Sequence, residues 1–163
     1  MEAPAGWTDF LVAAAGATGA LVGLVFVGLS INLTRILALP GVSGRAAETV
    51  LLLGSALIGS LLALIPGLSR PELGLLLCLV WVPTWGAPTV HQIQHMWQRQ
   101  FYKFRLALLR FVLYQAATVP LLLAGLSLRQ ELASGMLWFA LGVLLSLIVS
   151  LFNAWVLLIE ILR

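Results

Sequence analysis

Long apolar segments separated by short polar ones dominate the chain. Five of these segments, between 18 and 24 residues long, are almost free of charge. A helix needs about 20 apolar residues to cross the hydrocarbon core of a bilayer. The pattern therefore predicts five transmembrane helices, spans 1 to 5, over residues 10–33, 49–66, 73–90, 106–128 and 136–159. We expect an all-α integral membrane protein, a five-transmembrane-helix bundle that forms a single transmembrane domain over residues 1–163.

The composition supports this class and argues against others. Of 163 residues, 61% are hydrophobic and 9% are charged, whereas a soluble domain is about half apolar and a quarter charged. So few charges do not cover a surface that faces water. The pI near 9.8 arises from a net charge of only +3, an excess that usually sets membrane topology. The expected partner is the lipid bilayer and not nucleic acid.

Basic residues concentrate on one side of the predicted topology. If the N-terminus is outside, the inner segments hold seven of the nine basic residues: Arg35, Arg45, Arg99, Lys103, Arg105, Arg110 and Arg163. The outer segments hold Arg70 and Arg129. Basic residues accumulate in cytoplasmic loops. We therefore expect a multi-pass protein of the cytoplasmic (inner) membrane, with the N-terminus outside and the C-terminus cytoplasmic.

Two connections have local signatures. Gly67 follows span 2 and predicts a helix stop. Ser69 and Glu72 have the S-x-x-E spacing of a capping box, in which the acidic side chain accepts the N–H of the cap residue. Between spans 3 and 4, residues 91–105 have apolar side chains at helical spacing and His, Gln, Arg and Lys on the other face. This pattern predicts an amphipathic interfacial segment on anionic headgroups; contact with a cytosolic partner is the alternative.

Small residues on spans 1 and 5 predict close helix packing. The positions concerned are Gly16, Gly19, Gly23, Gly142, Ser146 and Ser150. In lipid, close backbone approach replaces the hydrophobic drive between helices. For span 1 we favour packing within one bundle; for span 5 a subunit interface stays equally open.

Polar residues at membrane depth concentrate in the inner half. Because such groups are costly in lipid, they are functional candidates by default. Four predict a pore or polar cavity: Asn32, Thr84, Gln115 and Asn153. Three predict an inner-face charged cluster: Glu48, Arg110 and Glu160. Pro83 and Pro88 in span 3 each remove a helix hydrogen bond, which predicts a kink or a break, and we favour a plain kink.

His91 and His95 are four residues apart and therefore share a helix face. That spacing suits two ligands of a metal ion, with Glu48 as a third. A haem is a further alternative. Neither cofactor is supported by a second motif, and the other interpretation is two histidines among lipid headgroups.

Part of the chain resembles a known group of proteins. Four segments resemble the opening helix, and its continuation, of small multi-spanning bacterial inner-membrane proteins of unknown function. They are FLVAAAGA at residues 10–17, GLVFVGLSINL at 23–33, RILALPG at 35–41 and GRA at 44–46. Some members are labelled modulators of an FtsH-type membrane protease. The resemblance covers residues 10–47 and implies a bacterial inner-membrane location, without a catalytic motif.

Sequence motifs of enzymes are absent: the chain contains no GxGxxG, phosphate-binding loop, CxxC or GxSxG. We therefore expect no enzymatic activity. The first hypothesis is a small polytopic membrane protein that acts through helix–helix interaction, as a homo-oligomer or with another membrane protein. The alternative is an oligomeric channel or transporter with a polar path near the inner half of the bundle. The second alternative is a metal- or haem-binding membrane protein that uses His91 and His95.

Overall fold

The computed structural model describes residues 6–38, 42–96 and 101–162, and within them omits the side chains of residues 95–96, 101–104, 158 and 160–162. The described residues form helices joined by turns and contain no strand. The helices are α1 (Trp7–Ile31), α2 (Leu33–Ala38), α3 (Val42–Ala63), α4 (Arg70–Met96), α5 (Phe101–Arg129) and α6 (Gly135–Leu162).

Five of these helices are long and apolar enough to cross a membrane, which confirms the predicted all-helical class and the predicted number of helices with membrane-spanning length. Spans 1 to 5 correspond to α1, α3, α4, α5 and α6. The largest difference is at α3, which begins at Val42, seven residues before the predicted span. Its first two turns contain Arg45 and Glu48, and hydropathy marks where a helix can meet lipid, not where the helix begins.

The chain groups into two compact units. Unit 1 comprises Met1–Leu68 and Ser146–Arg163, and unit 2 comprises Ser69–Leu145. The boundary falls inside α6, so residues 135–145 of that helix belong to unit 2 and the rest to unit 1. Sequence patterning predicted one domain, because no composition change marks this division.

In unit 1, α1 packs along α3, and α2 contacts both. Of the α1 residues, Leu11, Ala14 and Thr18 are buried. These positions recur every three or four residues and therefore form one helix face. At the other end of the unit, Ile36, Val42, Ala46 and Leu157 form an apolar cluster, against which Leu29 packs. Leu157 of α6 therefore completes the core formed by α1, α2 and α3.

In unit 2, α4 and α5 form a tightly packed antiparallel hairpin. The two backbones approach closely at Gly74, where an added Cβ would lie 2.4 Å from the backbone nitrogen of Arg129 and 2.6 Å from the carbonyl oxygen of Gly125. An added Cβ at Gly125 would lie 2.8 Å from Cys78 Sγ. Only glycine at Gly74 lets the two backbones meet. The small-xxx-small pair Gly74-x-x-x-Cys78 is the only signal of this contact in the sequence of α4.

The turn between α3 and α4 follows the predicted local chemistry. Gly67 has φ of +81°, the left-handed conformation that favours glycine. The Ser69 backbone N–H donates to Glu72 Oε2 at 2.9 Å, and the Ser69 hydroxyl donates to the same oxygen at 2.7 Å. The predicted acidic cap of the α4 N-terminus is confirmed.

Helix α5 ends in a Schellman motif, which the sequence does not predict. The Leu132 N–H donates to the Ser127 carbonyl, and the Glu131 N–H donates to the Leu128 carbonyl. This pair of bonds satisfies carbonyls at the helix end and needs a left-handed residue, usually glycine, between them. Here Glu131 occupies that position with φ of +57°.

We expect Glu131→Gly to stabilise the protein. A non-glycine residue in the left-handed region costs roughly 1–2 kcal/mol, so relief of that strain should raise the free energy of unfolding by about 1 kcal/mol. Thermal unfolding in detergent measures the change. Gln130→Gly, one residue earlier, is the control and should destabilise the helix end. An unchanged or lower unfolding temperature for Glu131→Gly would contradict the assigned strain.

Candidate functional site

A neutral polar cluster joins α4 and α5 in unit 2. Gln115 Oε1 accepts a hydrogen bond from Trp85 Nε1 at 2.7 Å, and Gln115 Nε2 donates to Thr89 Oγ1 at 2.9 Å. One amide therefore uses both of its ends to connect two turns of α4. In a low-dielectric environment such satisfied bonds hold helices in a fixed register.

A second hydrogen bond in this cluster satisfies a backbone carbonyl that a proline leaves without its usual donor. In a regular helix the Thr84 carbonyl would accept the N–H of residue 88, but Pro88 has none. The buried Tyr114 hydroxyl donates to that carbonyl instead. The described helix α4 runs without interruption through both Pro83 and Pro88. Backbone groups freed by proline at membrane depth survive when a neighbouring helix satisfies them, and here α5 does so.

Among the described residues of unit 2, two buried polar groups have no hydrogen-bond partner: the Gln92 amide, at both its oxygen and its nitrogen, and Trp81 Nε1. Gln92 is 8% exposed and Trp81 is 1% exposed. The Trp81 ring stacks on Phe139, with ring centroids 5.7 Å apart, which explains its burial by aromatic packing. Gln92 lies two turns after Thr84 on the buried face of α4.

The predicted pore residues divide between the units. Thr84 and Gln115 both belong to the α4–α5 cluster, where the Thr84 hydroxyl also donates to the Val80 carbonyl at 2.8 Å. Asn32 and Asn153 belong to unit 1. Asn32 caps the end of α1, and its Nδ2 donates to the Gly28 carbonyl at 3.0 Å. The structure therefore brings two of the four residues together, and the polar path stays a prediction.

The residues of the predicted charged cluster do not all belong to one unit. Glu48 is buried in unit 1 at 3% exposure, and Arg110 is half-buried on α5 in unit 2. The Glu160 side chain lies outside the described residues. The clustering of these three residues stays a prediction.

The predicted metal ligands have a similar distribution. His91 is exposed on α4, its expected partner Glu48 belongs to the other unit, and the His95 side chain is not described. Among the side chains that the structure describes, no three His, Cys, Asp or Glu residues come together as a metal site. Metal or haem ligation stays a prediction.

Four small residues of α1 lie on its exposed side. Ala13, Gly16, Ala20 and Gly23, which we call the α1 small face, are all exposed. An added Cβ at Gly16 or Gly23 would meet no atom of the described chain within 4 Å. Gly19 points elsewhere and makes an ordinary contact of 3.7 Å with Leu57 Cδ1. The α1 small face is therefore not used for close packing within the described part of the chain.

The small residues of α6 are buried. An added Cβ at Gly142 would lie 2.5 Å from Leu121 Cδ2 of α5. Ser146 and Ser150 are 0% and 1% exposed, and neither hydroxyl has a hydrogen-bond partner in the part of the chain that the structure describes. Gly142 therefore packs inside unit 2, and both serines belong to the buried side of α6.

No protein-family model, curated protein or solved structure matches this chain.

Proposed function

We propose that this chain is an integral membrane protein that acts by association of its helices with a second copy or another membrane protein. Five helices of membrane-spanning length and apolarity support the location. The observation that carries the association is the α1 small face, which is exposed and open. Surfaces that face lipid need no small residues, whereas helix–helix contacts are enriched in them.

The proposed topology follows the distribution of basic residues. In this proposal all five long helices form a transmembrane bundle in a bacterial inner membrane, the N-terminus is outside, and the C-terminus is cytoplasmic. Residues 91–105, which include the last turns of α4 and the first turn of α5, are at the cytoplasmic interface in this proposal, with basic side chains toward anionic lipid.

Larger side chains on the α1 small face test whether the protein associates with a second copy. Leucine at Gly16 and Gly23 finds free space within the chain and is a better helix former than glycine. In Gly16→Leu/Gly23→Leu the fold should therefore persist, while the close approach of a second helix is blocked. We expect the dissociation constant of the oligomer to rise at least about tenfold, a loss of about 1.4 kcal/mol. Energy transfer between labelled copies in vesicles measures it as the protein-to-lipid ratio is varied.

The matched control is Ile148→Phe, which enlarges a side chain that is 61% exposed on α6 and should not change association. Monomeric wild-type protein at every lipid ratio would overturn self-association. Unchanged association of the double leucine variant would overturn the role of the α1 small face. For a partner other than a second copy, the same pair of variants is compared in a pull-down from the native membrane.

A further inference from the structure

Residues 90–94 of α4, the last of that helix whose side chains are described, bury a single side chain. Only Gln92 is buried among them, at 8% exposure. Its amide oxygen and nitrogen are both closed to solvent and have no hydrogen-bond partner. A buried polar group without a partner costs free energy, and this stretch has no buried apolar side chain that offsets the cost. The packing of these turns is therefore unfavourable at its one buried residue.

The part of α5 that precedes Tyr114 is also loosely packed. None of residues 105–113 is buried, whereas eight of residues 114–128 are. Because α4 and α5 are antiparallel, the loosely packed part of α5 lies at the same end of the hairpin as Gln92. Close packing of the hairpin therefore extends from Tyr114 toward Gly74 and does not include this end.

Pro88 provides a position at which α4 can bend. A proline removes one backbone hydrogen bond from a helix, and helices bend most readily at such positions. The Tyr114 and Gln115 bonds hold α4 at residues 84–89. The helix is thus fixed up to Thr89 and loosely packed after it. Movement of residues 90–94 away from α5 would allow water to satisfy the Gln92 amide.

We propose that the end of α4 after Thr89 is a hinged segment with two positions. In the closed position, which this structure shows, the Gln92 amide is buried. In the open position the segment has moved away from α5, and the two donors and the acceptor of the amide bind water. The Tyr114 and Gln115 bonds persist in both positions and fix the base of the hinge. The equilibrium between the two positions is set by the cost of burying one amide.

The experiment measures the distance between spin labels at Ile93→Cys on α4 and Leu109→Cys on α5, both exposed positions, in the full chain with Cys78→Ala. With Gln92 present, two distances should be resolved. Gln92→Leu should raise the ratio of closed to open protein at least about fivefold, because leucine is favoured when buried and has no polar group to hydrate. Labels at the exposed positions Leu75 and Leu126, beyond the tightly packed part of the hairpin, should give one distance in every variant.

Gln94→Leu is the matched control, because Gln94 is the same residue type two positions later and is exposed. It should leave the ratio unchanged. A single distance in the protein with Gln92, or an equal ratio in Gln92→Leu and Gln94→Leu, would overturn the hinge. Measurement in detergent micelles, where water reaches the helix ends, makes the result independent of the proposed topology. Dilution with unlabelled protein removes distances between copies, so the result is also independent of the proposed association.

Discussion

Gly74→Val is expected to be the most damaging single substitution in the α4–α5 hairpin, with a loss of roughly 3 kcal/mol in the free energy of unfolding. The Cβ of any residue at this position meets the backbone of Arg129 and Gly125 at 2.4 and 2.6 Å. Backbone atoms cannot rotate away as the end of a side chain can, so the two helices must separate. Separation would also strain the Gln115 and Tyr114 bonds further along the hairpin.

Gly86→Ala on the same helix is the matched control. An added Cβ at Gly86 meets no described atom within 4 Å, and alanine is the better helix former by about 1 kcal/mol. This variant should be neutral or more stable than wild type. Reversible unfolding in mixed micelles measures both free energies. Equal stability of Gly74→Val and Gly86→Ala would show that the helices do not meet at Gly74.

Tyr114→Phe is expected to cost about 1–3 kcal/mol, the penalty for a buried polar group left unpaired. The phenylalanine ring fills the same space, so the loss reports the missing hydroxyl and not a cavity. The group left unpaired is the Thr84 carbonyl, which Pro88 deprives of its normal helix partner.

A double-mutant cycle with Pro88→Ala tests this cause. Alanine restores an N–H at residue 88, so the Thr84 carbonyl regains a partner inside α4. Tyr114→Phe should then cost about 1 kcal/mol less in the Pro88→Ala background than in wild type. Unfolding free energies of the four proteins give the coupling. An equal cost of Tyr114→Phe in both backgrounds would refute the link between the proline and the tyrosine.

Much of the helical architecture follows from the amino-acid sequence, because an apolar run of membrane-spanning length permits few structures other than a helix. The α3–α4 turn follows too, since Gly67, Ser69 and Glu72 act locally. The left-handed Glu131 does not follow, because glutamate has no preference for that conformation and only the surrounding bonds hold it there. The short helix α2 does not follow either, because its six residues, LTRILA, are too few to show a helical period.

The candidate site was only partly predictable. Gln115 and Thr84 stand out as polar residues at membrane depth, but their bonding depends on which α5 residues face α4. That register is set by the approach at Gly74, two helix turns or more from the cluster. Pro88 could have indicated Tyr114 indirectly, since a proline leaves the carbonyl four residues earlier in need of a donor. The exposure of the α1 small face could not be predicted, because small residues at this spacing suit either packing within the chain or association with another chain.

The division of α6 between the two units has a consequence for synthesis of the chain. Unit 2 is continuous in sequence, so its helices can pair as soon as they enter the membrane. Unit 1 is not continuous: α1, α2 and α3 are made first, but their apolar cluster includes Leu157 from near the end of α6. These early helices must therefore remain incompletely packed, in lipid or with other membrane proteins, while the 77 residues of Ser69–Leu145 are made. During that interval the α1 small face, against which no described residue packs closely, is already available to a neighbour.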